Sequence, residues 1–499
     1  MGVLSFVLKT LAKQIVKKNL ATKFDAVESQ EKLLKTIINR GQKSLFVKSL
    51  RTPIGSNYNL FKKSVSVSNY EDYTDYISLI SEGRKNILTA GRPKYFAITS
   101  GTTSGTKYIP LTKEMWGFQS KAIRDLLLLY AHQTNNYNYA GSGMMFIQGS
   151  PELKYYNKIP FGKLSGISAR HIPFFLKKNR YPSMGVNKIS PWNKKINAIV
   201  KETWDKDLQI IGGIPPWVIT YFDSLLNYTG QSHVQDVFPS LKLYIHGGAS
   251  FKPYKKSFLT KCGDIDTLEV YPASEGFFAY QDNLSDDSLL LLTNSGVFYE
   301  FISLNNFQNK KMERIILEGV ELGVDYVMVI STIAGLWAYN TGDVVRFVSK
   351  NPYKIIFSGR ASQYCSAFGE HVIEKEVQTA LSMALVDCGG SVSGFTVCPK
   401  VSSELGASMH EWFIEFLEKP ASLVDFQNVL NESLSNQNIY YCDLINSKII
   451  SKLKIVVVKK GGFNAYMKSI GKFGGQNKCP HLLNDRRIAD FLMKNYVEK

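Results

Sequence analysis

From residue 95 onward, short apolar runs stop again and again at turns rich in glycine, hydroxyl or acidic residues. YFAITS runs into Gly101-Thr102-Thr103-Ser104-Gly105, LKLYIH into Gly247-Gly248-Ala249, and DTLEVYP into Ala273-Ser274-Glu275-Gly276. Further apolar runs lie at Met144–Gln148 and Leu208–Ile211, and an amphipathic stretch of helical length covers 113–133. Strand-sized runs alternating with helices predict βα units and a largely parallel sheet.

The texture differs on either side. Residues 1–90 read as helices, with amphipathic pieces at Lys32–Ile38 and Tyr70–Ser81. Over 289–358 the segments LLLLTN, VFYEFISL, MERIILEGV, DYVMVIST, VVRFVS and KIIFSG follow one another across short polar turns. That spacing predicts an antiparallel meander or partial barrel. After Gly359–Ser362 a smaller α+β unit follows. The expected fold class is therefore α/β. A large N-terminal domain, 1–360, has parallel and mixed sheets and a barrel-like meander at 285–358, and a smaller α+β domain fills 361–499.

Composition narrows the classes. With 499 residues, 44% hydrophobic and 20% charged, the bulk of the chain is neither disordered nor fibrous. Sixty Lys+Arg against 42 Asp+Glu give +18, which attracts nucleic acid, an anionic membrane or phosphate-bearing ligands, or simply makes a solvated lysine surface. Six cysteines without a CxxC pair argue against zinc and suit a reducing compartment, so a cytoplasmic location is expected. The run Met1–Leu8 is too short for a signal or a span, and Leu4, Val7, Leu8, Leu11 and Ile15 recur at helical spacing. A packed first helix or a membrane-surface helix fits that pattern, and Phe6 argues against myristoylation.

Four motifs carry candidate chemistry. Ser100 to Lys107 combines two glycines, which let backbone N–H groups approach closely, with hydroxyls and one lysine. It suits phosphate, although it is no Walker A loop, and a plain surface loop has the same composition. Glu275, in Tyr271-Pro-Ala-Ser274-Glu275-Gly276, offers a carboxylate for Mg²⁺; a helix-capping turn is the plainer reading. Asp343, after Asn340-Thr341-Gly342, suits a ribose diol or an Asx turn. Gly247, Gly248 and Ala249 leave room for a flat ring or form an ordinary βα turn. In open α/β sheets such points collect at the carboxyl ends of strands, where ligands bind.

Together and in this order, the motifs resemble the GH3 family of acyl acid amido synthetases, in the adenylate-forming superfamily. SGTTSGTKYIPLT resembles its phosphate loop, STIAGLWAYNTGDVVRF its ribose turn, FSGRASQYCSAFGEHVIEKEV its interdomain hinge, and GGQNKCPH its terminal signature. The resemblance runs from about 95 to 485 and implies that a carboxylic acid is adenylated with ATP and Mg²⁺, then passed to an amine, expected to be an amino acid. It implies that Ser100, Thr102, Thr103 and Lys107, with Gly101, Ser104 and Gly105, hold phosphates. Glu275 supports Mg²⁺ beside Ser274, Asp343 holds the ribose, Gly247, Gly248, Ala249 and Tyr271 face adenine, and Arg360 begins the hinge. Lys478 is the implied adenylation lysine, in a mobile second domain; Lys472, in SIGKFGG, competes with it, and His481 stands where the family has arginine. Rival readings are a coenzyme A ligase using the same adenylate and a non-catalytic nucleotide-binding protein. Nucleic acid and integral membrane association are not expected, and the state expected is a monomer or weak dimer.

Overall fold

The computed structural model describes the whole chain except residues 1–6, 8, 18–24, 56, 101–105, 138–140, 172–178, 190–191, 249–250, 362–363, 366–367, 369–371, 402–407, 447–449, 473–478, 484 and 499. Its strands begin with β1 (Tyr95–Ser100), β2 (Thr106–Leu111), β3 (Gly143–Phe146), β4 (Lys154–Tyr156), β5 (Ile159–Lys163), β6 (Arg180–Tyr181), β7 (Leu208–Gly212) and β8 (Leu243–Gly247). They continue with β9 (Asp266–Pro272), β10 (Phe277–Asn283), β11 (Asp286–Leu291), β12 (Val297–Ser303), β13 (Asp325–Thr332), β14 (Tyr339–Lys350) and β15 (Tyr353–Arg360). The last are β16 (Tyr364–Cys365), β17 (Val372–Ile373), β18 (Ser391–Lys400), β19 (Met409–Glu418) and β20 (Lys454–Val457).

Eleven strands form one sheet in the order β12-β13-β14-β15-β11-β10-β9-β8-β7-β3-β6. From β9 to β6 the pairing is parallel, as the alternating texture predicts. From β9 through β10 and β11 to β15, and from β14 through β13 to β12, it is antiparallel. The expected barrel-like meander is therefore corrected: its strands continue the parallel sheet, and no barrel closes among the described residues. The physical reason is β10, which pairs with β9 on one side and β11 on the other, so the meander inherits a neighbour instead of needing to meet itself. MERIILEGV is not a strand either; Ile315 makes a lone bridge to Phe301 and Leu317–Gly319 is a 3-10 turn. Strands β12 and β13, rich in aromatic and β-branched residues, are buried on both faces, so they lack polar alternation.

A second sheet, β2-β1-β5-β4, holds the glycine-rich motif. Here β1 and β2 are antiparallel partners, with Ser100 opposite Thr106. The helix expected over 113–133 is found at Lys113–Thr134, and the strand β2, which was not among the expected apolar runs, stands between it and the glycine-rich motif. Thr112 caps that helix by accepting from Met115 N–H at 3.2 Å, and Asn135 ends it at φ 52°.

Grouped by proximity of Cα atoms, the chain forms two compact units: 1–214 with 224–248 and 265–357, and 215–223 with 249–264 and 358–499. Both units are discontinuous in sequence. The first packs the helix Ala26–Gly41 and residues 70–81 against the meander; Trp337, Tyr73 and Phe61 are fully buried there. The second is an α+β unit, in which β18-β19-β20 carries the helices Glu374–Cys388 and Leu423–Gln437 over Trp412 and Phe395. Among the described residues no helix is long and apolar enough to cross a membrane.

Candidate functional site

Tyr271 and Asp343 are 72 residues apart, yet the Tyr271 hydroxyl donates to Asp343 Oδ2 at 2.6 Å. They lie on β9 and β14, four strands apart in the sheet order. On a flat sheet that separation is ~19 Å at about 4.8 Å per strand. The sheet must therefore curl strongly, without closing, to bring the end of β9 over β14. Tyr271 is braced edge-on by Phe278 and Phe357, at ring-centroid distances of 5.2 and 5.5 Å.

Asp343 is presented by a break in the ladder. Val327 pairs with Val344 and Val329 with Asn340, so one residue of β13 faces three of β14. The bulge is built by its own side chains: Asn340 Oδ1 accepts from Gly342 N–H at 3.0 Å, and Thr341 Oγ1 accepts from Asp343 N–H at 3.1 Å while donating to Met328 O at 2.8 Å. Gly342 sits at φ +75°, a region costly for other residues. The Asx turn and the bulge that presents the Asp343 carboxylate are thus one feature.

Residues 68–73 position this strand, and sequence reading assigned them only to a helix. Ser68 bridges to Tyr339, Asn340 Nδ2 donates to Asn69 Oδ1 at 3.1 Å, and the Tyr73 hydroxyl both donates to Trp337 O and accepts from Trp337 N–H at 2.8 Å. The same segment reaches β2: Tyr108 N–H donates to the Tyr70 hydroxyl at 2.7 Å, and Lys107 Nζ lies 5.6 Å from the Tyr70 ring centroid. Burial holds the Tyr70 phenol above its ordinary pKa, so it acts as a neutral hydrogen-bonding group. One short segment therefore links the glycine-rich hairpin to the Asp343 bulge.

Ser274 and Glu275 form the tip of a two-residue turn between β9 and β10, closed by Ala273 N–H to Gly276 O at 2.8 Å. Neither residue caps a helix. Ser274 is buried and Glu275 half-buried. Gln119 Nε2 reaches Ala273 O at 3.4 Å and supports the turn. A signal for Gln119 existed in the sequence: it stands on the buried face of its helix with Met115, Ala122 and Leu126. Gly247 ends β8, and a Cβ there would lie 2.3 Å from Val270 O. Strand packing alone thus demands glycine at 247, whereas Gly248, at φ +73°, turns the chain.

Ser100 ends β1, while Gly101, Thr102, Thr103, Ser104, Gly105, Ala249 and Lys478 lie outside the described residues. In the second unit Arg360 follows Gly359, which sits at φ +129°. Lys472 is exposed. His481 is fastened in place: its ring stacks on Phe395 at 4.4 Å, and Nδ1 lies 2.8 Å from Glu374 Oε1. Pro480 O accepts from Thr396 Oγ1 at 2.7 Å, which ties the terminal signature to β18. Among the described residues no group of three or more His, Cys, Asp or Glu could hold a metal.

The comparisons agree with this architecture. The chain matches the GH3 family N-terminal domain over 16–195, the central domain over 290–360 and the C-terminal domain over 375–487. A jasmonoyl–L-amino acid synthetase of Nicotiana attenuata is 23% identical over 559 residues, covering 95% of this chain and 94% of its own. An indole-3-acetic acid-amido synthetase of Arabidopsis thaliana is 23% identical, over 94% of this chain and 92% of its own. Among solved structures, a GH3.15 acyl acid amido synthetase superposes with TM-score 0.79 at 17% identity, over 98% of this chain and 97% of that one. A 2-hydroxyisobutyryl-CoA ligase in the postadenylation state, in complex with 2-HIB-AMP, superposes with TM-score 0.61 at 12% identity, over 93% and 90%. These two likenesses establish the fold, and the three domain matches run in order along more than half the sequence: the chain belongs to the GH3 family.

Proposed function

We propose that this protein is an ATP-dependent ligase that joins a carboxylic acid to the amino group of an amino acid. The carrying observation is the chain-long relationship to jasmonoyl- and indole-3-acetic acid-amido synthetases, which spans nearly the full length of both partners. In this reading the acid's carboxylate attacks the α-phosphorus of ATP and pyrophosphate leaves. The amine then attacks the acyl carbon, an amide forms, and AMP leaves as the nitrogen gives up its proton.

The donor set suits these ligands. Asp343, on its bulge and touching the Tyr271 hydroxyl, is a buried carboxylate of the kind that accepts a ribose diol. Glu275 is a half-buried hard-oxygen donor at a hairpin tip. With no protein cluster able to hold a cation among the described residues, Mg²⁺ would come with the nucleotide and meet Glu275 there. Bound Mg²⁺ neutralises phosphate charge as the α-phosphorus is attacked. Ser100, Thr102, Thr103 and Lys107 are assigned to the phosphates, and Ser274 to the neighbourhood of the α-phosphate. Gly248 and Ala249 are assigned to the adenine side, Lys478 to adenylation, with Lys472 its competitor, and Gly359-Arg360 to the pivot of the second domain. Six free cysteines support a reducing, cytoplasmic setting.

A panel of aromatic and aliphatic acids in an ATP–pyrophosphate exchange assay tests the first half-reaction. Mass analysis of products formed with amino acids or with coenzyme A tests the second. Acid-dependent exchange followed by amide product is expected, with exchange reduced about a hundredfold in Glu275→Gln, since a neutral amide holds Mg²⁺ poorly. Thioester as the sole product would reject the amide assignment, and no exchange with any acid would reject adenylation.

A further inference from the structure

Another positive feature lies at the far end of the four-stranded sheet. A cavity of about 420 Å³ opens there, lined by Arg40, Arg92, Lys94, Lys113 and Lys158 against a single carboxylate, Glu114. Five cations and one carboxylate leave four positive charges around one space. Glu114 is already engaged, its Oε1 lying 3.4 Å from Arg40 Nη2.

The sequence explains the excess. No Asp or Glu occurs between Glu82 and Glu114, nor between Glu152 and Glu202. The first stretch supplies Arg92, Lys94 and Lys113, and the second supplies Lys158. Parallel pairing of β1 with β5, Phe96 opposite Phe161, brings the two acid-free stretches side by side. Arg40 enters from the last turn of Ala26–Gly41. The side chains of Lys158 and Arg92 both pass over Gly83: a Cβ there would lie 3.0 Å from Lys158 Cδ and 3.9 Å from Arg92 Nη1. The adjacent Glu82 is held by Arg84 at 3.1 Å. Holding like charges together costs free energy that a bound anion recovers. The positive end of the helix Lys113–Thr134 faces the same cavity and adds to that field.

This place is distinct from the glycine-rich motif. Lys94 precedes β1 and Gly101 follows it, so six residues of strand separate the two, ~20 Å at about 3.3 Å per residue. A single phosphate would leave most of the cavity empty. We propose that it is a second anion site, taking a small ligand through a di- or triphosphate group. That group could belong to free polyphosphate or to the tail of a nucleotide.

Calorimetric titration of the full chain at low ionic strength, with inorganic tripolyphosphate and separately with a non-hydrolysable nucleoside triphosphate, tests this directly and independently of the ligase reading. Wild type is expected to bind tripolyphosphate at this site with an affinity that falls as salt rises. Lys94→Glu/Lys158→Glu should lose at least tenfold at one site, with the unfolding temperature and any exchange activity unchanged. Glu114→Gln should tighten that site two- to fivefold by removing the competing carboxylate. Nucleotide binding lost in parallel identifies a nucleotide tail, and nucleotide binding unaffected identifies free polyphosphate. Identical isotherms for wild type and the double variant overturn the proposal. Binding of an oligonucleotide without any binding of tripolyphosphate also overturns it, in favour of a nucleic-acid surface.

Discussion

Glu300 on β12 and Asp343 on β14 are both buried carboxylates of the meander, 0% and 5% exposed, but their surroundings differ. Glu300 faces Arg314, itself 3% exposed, at 3.1 Å, and Arg314 also donates to Lys62 O and Val65 O. Burial raises the Glu300 carboxyl's pKa, against the opposing pull of Arg314. Regular pairing runs along β12 on both sides of it. Asp343 instead sits where the ladder opens, and the donor it meets from β9 is a neutral phenol. A carboxylate matched by a guanidinium inside regular strands does architectural work. One presented on a bulge, toward a residue from a distant strand, is the arrangement on which the proposed ribose contact rests.

Three substitutions can break or sharpen that contrast. The largest effect is expected from Arg314→Ala, which leaves a buried charge uncompensated and should cost about 3–5 kcal/mol of stability. Denaturant midpoints would report it, with kinetics per folded molecule unchanged and partial recovery in Glu300→Gln/Arg314→Met. Next, Asp343→Ala should raise the KM for ATP at least tenfold, because charged hydrogen bonds are worth about 1.5–3 kcal/mol each. Its stability loss should stay well below that of Arg314→Ala. If instead it unfolds easily and its KM for ATP is unchanged, Asp343 is architectural too and the contrast fails. The smallest effect belongs to Tyr271→Phe, which removes one neutral hydroxyl worth about 0.5–1.5 kcal/mol. A two- to tenfold rise in KM for ATP with kcat retained is expected; a larger loss in kcat than in binding would give Tyr271 a different task.

Much of the fold was legible because its signals are local. The apolar runs of β1, β7, β8 and β9, and the helix Lys113–Thr134, follow from periodicity and caps within a few residues. The smaller unit's helices Glu374–Cys388 and Leu423–Gln437 and strand Met409–Glu418 carry local signals of the same kind. Less legible was anything set by partners. MERIILEGV has a strand's composition, yet Ile315 meets Phe301 in a lone bridge and the chain turns away. The strand after the glycine-rich motif was not legible, because composition does not say whether the next run, TKYIPL, pairs back on β1.

The candidate site divides along the same line. Sequence alone named Tyr271, Ser274, Glu275, Gly342 and Asp343, since residue type and motif order are written in the chain. It also determined the acid-free stretches that make one region so basic. Tertiary structure alone decided that Tyr271 and Asp343 touch, that residues 68–73 link Lys107 to the Asp343 strand, that Gln119 supports the Ser274-Glu275 turn, and that Gly247 is a glycine for the sake of Val270 O. Each of these depends on how far the eleven-stranded sheet curls and which strands become neighbours. Those are sums of twist and packing over the whole unit, so no window of sequence contains them.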